Sequence, residues 1–312
     1  MATAVAGPAA RGAVAGEASE GLSAGRRSRW RRVAHEVGRR PLYAVAAVLL
    51  AFMVSLALIG PLLPLPDATT PVLSDRLQDP MTRGATGTLH VMGTDHLGRD
   101  ILARTVAGAR ATVGIAATVA AIGVLVGAAL GLVTGYFRGP VDAIVMRIAD
   151  LELAFPPLLL AIFMLYVLGP GMVQLILLLA ILSWVSYARL ARAQTLSYRS
   201  QPFVEAAQSL GATDTRVLVR HILPQLVPVL AMIFVLDFGT VMLAEAGLSF
   251  LGLGVQPPNA SWGSMVADGR QFVTAGAWWF FLTPGIAIFL TVFAANLTAR
   301  WAQELLGVTH EP

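Results

Sequence analysis

The sequence predicts an all-α integral membrane protein with six transmembrane helices, and three observations carry that prediction. Across 312 residues 56% are hydrophobic and only 13% charged, with a mean hydropathy of +0.70. Soluble domains carry about 25% charged residues. Apolar runs cover residues 42–63, 110–135, 143–168, 171–190, 226–248 and 279–300, and about 20 apolar residues suffice for one crossing. The arginines cluster beside these runs, as the positive-inside rule requires of cytoplasmic flanks. An even number of spans puts both termini on the same, cytoplasmic side.

In chain order, residues 1–40 are cytoplasmic: an Ala/Gly/Ser-rich tail over 1–25 without periodicity, expected to be disordered, followed by an Arg-rich juxtamembrane segment from Arg26 to Arg40. The run that follows is longer than a signal-peptide core and lacks a small-x-small cleavage site, so it is read as a retained helix. Residues 41–305 then form the transmembrane domain, and 306–312 a cytoplasmic tail. Pro61, Pro64, Pro66 and Pro71 close the first span and open an external segment, 66–109, that offsets its arginines with Asp67, Asp75, Asp79, Asp95 and Asp100. Span two repeats glycine every four residues at Gly123, Gly127, Gly131 and Gly135, a face that lets another helix approach closely. A polar loop, 195–225, lies in the cytoplasm, and an external loop, 249–278, separates the last two spans.

Several chemistries are excluded or disfavoured. Without cysteine there is no disulfide or thiolate site, and all 22 basic residues are arginine. A chain without lysine has no ordinary phosphate-binding P-loop and no Schiff-base chemistry. His90, Asp95 and His96 have metal-binding side chains but no further ligand nearby, so Asp95 is read as bracing the turn into Arg99. Asp150 and Glu152, ahead of Pro156-Pro157, are placed at the interface near Arg147 rather than in an acid–base pair. Trp278, Trp279 and Trp301 suit the two interfacial belts. Asp237 falls mid-span, where an acid costs about 2.5–3.5 kcal/mol on insertion scales. It must face water, the bundle interior or a partner. Glu245, eight residues on, is expected roughly on the same side, so the two acids are candidates for lining a translocation path.

The segment Glu205–Pro224 reads as a helical hairpin. Pro202 opens a short helix, Glu205 favours its positive end, and Ala206 and Ala207 keep one face slim. Gly211 stops that helix, Thr213 caps a second one starting with Asp214, and Pro224 is expected to end it.

Glu205, Ala206, Ala207, Gly211, Leu223 and Pro224 resemble, in type and spacing, the EAA motif of binding-protein-dependent permeases of ATP-binding-cassette importers. One departure is His221 where the family usually has isoleucine, with Ile222 displaced by one, which questions an apolar anchor there. Gly93, Thr94, Asp95, Gly98, Arg99 and Asp100 resemble the GTD-x-x-GRD signature of the dipeptide, oligopeptide and nickel permeases. Ser249-Phe250-Leu251-Gly252, with Pro257-Pro258 and Trp262-Gly263, is similar to that family's last external loop. The resemblance covers most of residues 40–305 and implies a type I importer permease of the second, C-type kind. It further implies a homologous permease partner, two ATPase subunits or domains holding ATP and Mg, an external substrate-binding protein, and residence in a bacterial plasma (inner) membrane. No cofactor and no catalytic residue is expected in this chain. Glu205–Gly211 would dock the ATPase, while Ser249, Phe250, Gly252 and Trp262 would gate the outer mouth or meet the binding protein. Short peptides are the implied cargo, with nickel, a metal chelate or another small solute as the alternative. An ion-gradient-driven secondary transporter is the alternative of another class.

Overall fold

The computed structural model describes residues 41–85 and 87–305; the expected tails, 1–40 and 306–312, lie outside the described residues. The chain divides at Val45, so that Pro41–Val45 begins the first helix and the described residues from Ala46 onward form one unit.

The helices are α1 (Pro41–Ile59), α2 (Ile101–Phe137), α3 (Gly139–Leu153), α4 (Pro157–Leu168), α5 (Met172–Arg199), α6 (Pro202–Ser209), α7 (Asp214–Val217), α8 (Leu223–Phe250), α9 (Trp262–Gly269) and α10 (Trp278–Leu305). A two-stranded antiparallel ribbon, β1 (Thr82–Arg83) and β2 (Leu89–His90), lies between α1 and α2. The helices outrun the apolar runs at most ends because hydropathy marks only the part inside hydrocarbon. Thus α2 occupies the last nine residues of the expected external segment, and α5 extends through Arg199 into the expected loop.

Five segments are long and apolar enough to cross a membrane, and a sixth candidate, α3 with α4, is bent by 87°. The span expected over 143–168 is therefore built from two helices that meet at an elbow. Pro156 and Pro157 explain the break: neither donates a backbone N–H, and each forces the residue before it toward extended geometry. The direction of the neighbouring helices shows that the bent pair still crosses. A Cβ on Gly123 would meet Ser183, on Gly127 Trp184 and Tyr187, on Gly131 Ala188 and Ala191, and on Gly135 Arg192 and Thr195. Both series ascend together, so α2 and α5 run parallel. Two parallel spans end on the same side, and the chain between them must return across the membrane.

These close approaches make the glycine face a packing surface. At Gly127 and Gly131 the nearest obstacles to a Cβ are main-chain oxygens of α5, both at 2.4 Å, which no side-chain rotation can relieve. Around this seam lies the main apolar core, with Ile115, Ala116, Val119, Leu175, Leu178 and Met242 contributing. Opposite faces such as Val48, Phe52 and Leu58 on α1 remain exposed, as surfaces that meet lipid or another chain should.

Candidate functional site

The hairpin forms where the ends of α2, α5 and α8 gather. In α6, Pro202 occupies the first turn with Glu205, and the helix stops where Gly211 adopts a φ of +82°. The Ala212 amide then donates to the Ala207 carbonyl at 3.0 Å and the Gly211 amide to Gln208 at 2.9 Å, closing the end with a left-handed residue that glycine adopts without penalty. Thr213 precedes α7 as expected, although its hydroxyl makes no capping bond.

The expected end at Pro224 is corrected. From Asp214 to Phe250 the chain is one 37-residue helical segment, with a π-turn at Leu218–Ile222. Widening the turn lets the Leu223 amide reach the Leu218 carbonyl, and so proline is admitted without the clash it makes with the carbonyl four residues back. The π-turn also answers the displaced isoleucine. Ile222 is fully buried with Val204, Val217, Tyr187 and Leu226, so it does supply the apolar anchor, while His221 stays half-buried.

On this base the outer face of the hairpin is free. Glu205, Ala206 and Gly211 are exposed, Ala207 is half-buried against the core, and Phe203 and Leu210 are 41% and 89% exposed. Leu223 is half-buried and Pro224 exposed. The result is a small apolar ledge with a carboxylate at its start, held from beneath by three fully buried side chains.

One residue that the sequence did not single out ties the hairpin to the bundle. Tyr136, near the end of α2 and 4% exposed, donates its hydroxyl to Asp214 Oδ1 at 2.7 Å and accepts from Gln208 Nε2 at 3.0 Å. Arg199 donates to its main-chain oxygen at 2.6 Å and lies 5.5 Å from its ring centre. From sequence alone a tyrosine at a helix end reads as an interfacial aromatic, and its partners lie 72 and 78 residues away. Nearby, Arg192 grips Asp142 of α3 with two hydrogen bonds, of 2.5 and 2.7 Å.

Higher in the bundle, Asp237 is half-buried and accepts hydrogen bonds from Ser183 Oγ at 2.5 Å and Tyr187 OH at 3.1 Å, both on α5. Glu245 does not share that setting. It is completely buried and accepts from Ser249 at 2.7 Å. Eight residues advance a helix by about 80° past two full turns, so the two acids turn to different neighbours. The expectation of a common side is corrected, and Glu245 sits within the chain's own interior. Asp150 pairs with Arg189 at 2.6 Å rather than with Arg147, and Glu152 accepts from the Trp184 indole at 2.9 Å; both partners come from α5 because α3 packs along it.

At the end of the bundle away from the hairpin, the Gly93–Asp100 signature builds a turn. Asp95 accepts from the Leu97 and Arg99 amides at 2.8 and 3.0 Å and from Arg99 Nε at 2.7 Å, with Arg104 Nε 3.4 Å away. Gly98 has φ +76°, and a Cβ there would sit 1.8 Å from the Val72 oxygen. Asp100 caps α2 by accepting from Ala103 N at 2.8 Å, and Thr94 bonds the Gln78 amide at 2.8 Å. His90 places Nδ1 2.8 Å from Asp100 and Nε2 3.5 Å from Asp75. The Ala85 amide, ahead of Ser74 and His90, holds the Asp75 carboxyl below the ordinary range despite burial. His96 instead stacks on Phe272 and Phe280, and burial lowers its pKa. His90, Asp95 and His96 are thus committed to three different settings, and the whole signature reads as a clasp on the start of α2.

The 249–263 loop is also drawn inward. Gly252 ends α8 at φ +82°, Ser249 is buried beside Glu245, and Phe250 is half-buried under the Arg270 guanidinium at 4.6 Å. Trp262 is fully buried, donating its indole N–H to Thr105 O at 2.8 Å and its amide to Thr112 Oγ1 at 3.0 Å, both on α2. Ser249 and Trp262 are accordingly corrected from outer-surface contacts to interior anchors, because a buried large aromatic with its N–H satisfied gains more from packing than from display. Trp279 is buried too, donating to Thr94 O at 3.3 Å, whereas Trp278 is exposed. Trp262→Ala should lower unfolding free energy by about 3–5 kcal/mol, measured by thermal or denaturant unfolding in detergent.

Comparison with known proteins finds relatives of this sequence. The family model described as binding-protein-dependent transport system inner membrane component matches residues 127–307, which include the whole hairpin. The dipeptide transport system permease protein DppC of Alkalihalophilus pseudofirmus is 35% identical over 279 residues, 89% of this chain and 90% of that protein. The glutathione transport system permease protein GsiD of Pectobacterium atrosepticum is 36% identical over 280 residues, 90% of this chain and 91% of that one. The nickel transport system permease protein NikC of Escherichia coli K12 is 40% identical over 208 residues, 67% of this chain and 75% of that one. With its clasped α2, its six crossings and its exposed hairpin, the chain belongs to the family of binding-protein-dependent transport system inner membrane components.

Proposed function

We propose that this chain is one of two homologous transmembrane subunits of an ATP-driven importer of short peptides, receiving cargo from an external binding protein. The observation that carries the reading is the exposed α6 ledge. Its small residues, Ala206 and Ala207, lie between Glu205 and Gly211 on a firmly anchored base. Such a ledge fits a cleft on a soluble partner, and the absence of lysine points to ATP and Mg being held by that partner. Side follows from the same reading: the hairpin, both chain termini and the ends of α2 and α5 are cytoplasmic, in an inner membrane. The similarity to dipeptide and glutathione permeases supports a peptidic cargo, and the similarity to NikC supports nickel or a metal chelate as the second reading. By domain, residues 41–305 form the permease, with an external segment at 66–109, the coupling loop at 195–225 and an external loop at 249–278.

Reconstitution with the second permease, ATPases and binding protein tests this directly. ATP-dependent uptake of di- or oligopeptides is expected, and uptake by this chain alone without ATP would overturn it. Nickel uptake without peptide uptake would select the second reading.

Of the two intramembrane acids, Asp237 is the better placed to face cargo. It is half-exposed with its carboxylate oriented by two hydroxyl donors, a setting that suits transient compensation of a peptide ammonium. Asp237→Asn should lower the uptake rate of cationic peptides by about tenfold, equivalent to about 1.4 kcal/mol, while assembly is retained. Unchanged rates for every peptide tested would remove Asp237 from the path.

A further inference from the structure

The Tyr136 hydroxyl is a single atom held by both arms of the hairpin. Gln208 from α6 donates to it and Asp214 at the start of α7 accepts from it. Because that oxygen belongs to α2, the two arms cannot change their angle or shift together without breaking a bond or moving α2. The ring itself is fixed by burial and by Arg199 of α5, whose guanidinium bonds the Tyr136 main-chain oxygen. One residue earlier, a Cβ at Gly135 would meet Arg192 O at 2.8 Å, so α2 and α5 are locked together at this level.

What α2 does with a push at this end follows from its length. It runs unbroken for 37 residues, about 55 Å, to the clasp at Asp100. Along the way Thr112 and Thr105 hold Trp262, the anchor of the opposite loop. A closely packed helix of this kind moves as a body instead of absorbing a displacement locally. We propose that Tyr136 is the joint through which movement of the hairpin enters α2 and reaches the outer loop. This role rests on the reading of the hairpin as the ATPase dock. Tyr136 is a positioning residue and touches neither cargo nor nucleotide.

The test uses the complete importer in proteoliposomes and reads cargo transported per ATP hydrolysed. Tyr136→Phe retains the ring and the contact with Arg199 but removes both bridging bonds. ATPase co-purification should be unchanged, ATP hydrolysis should continue, and cargo per ATP should fall at least fivefold. Asp214→Asn keeps an acceptor for the Tyr136 hydroxyl and should retain near-normal coupling, whereas Asp214→Ala should resemble Tyr136→Phe. A merely structural tyrosine would lower transport and hydrolysis together and leave their ratio unchanged, which would overturn the proposal. Loss of ATPase from the purified Tyr136→Phe complex would overturn it too, since the hydroxyl would then serve docking. Failure of the underlying reading shows separately, as an ATPase that does not bind the unaltered hairpin.

Discussion

Ala206→Glu should abolish ATP-coupled uptake, lowering it by at least tenfold, without dislodging the permease from the membrane. Ala206 is exposed on the α6 ledge, and the buried side chains that hold the hairpin, Val204, Val217 and Ile222, all lie on the other face. A charge added there costs the isolated chain almost nothing, because surface substitutions rarely shift stability by more than about 0.5 kcal/mol. Within a closed cleft the same carboxylate would be desolvated without a partner, at a cost of several kcal/mol. Pull-down of the ATPase and uptake in membranes read the two halves of the claim. Full retention of both would place the dock elsewhere. Gly211 is less suitable for this test, since its φ of +82° makes any replacement strain the hairpin itself.

The second large effect is expected at Gly127. A leucine there puts Cβ 2.4 Å from the Trp184 oxygen and 2.6 Å from Tyr187 Cβ. Overpacking commonly costs about 1–3 kcal/mol and more where nothing yields. Main chain yields least, and α2 and α5 would have to separate along a seam of four glycines. Gly127→Leu should therefore eliminate folded protein, measured as monodisperse yield in mild detergent. Gly114→Leu, on the same helix with open space around its Cβ, should leave yield close to that of the unaltered chain. Equal yields for the two variants would refute the seam.

How much of this was legible in the sequence depended on whether the signal was local. The glycine face was readable because a spacing of four has one geometric meaning on a helix. The turn at Asp95 and the stop at Gly211 were readable because short side chains and glycine act on their own backbone. Long-range pairings were not. Trp262 meets α2 across 157 residues, and no local pattern distinguishes such an anchor from a displayed tryptophan. Glu245 and Asp237 differ in surroundings, not in type. The π-turn at Leu218–Ile222 was invisible for another reason: it arises from fitting Pro224 into a continuing helix, so the proline that signals a stop is the very residue accommodated.

The elbow between α3 and α4 has a consequence for hydrophobic matching. Legs of 15 and 12 residues measure about 22 and 18 Å. Set at close to a right angle and linked through Ala154–Pro156, the two legs alone span a diagonal of about 29 Å, against a hydrocarbon thickness of about 30 Å. A straight span has surplus length and adapts to a thicker or thinner bilayer by leaning. This one has little surplus, so leaning can only shorten its reach between the parallel helices on either side. Bilayer thickness, through acyl-chain length, should therefore bear on this importer at the elbow first.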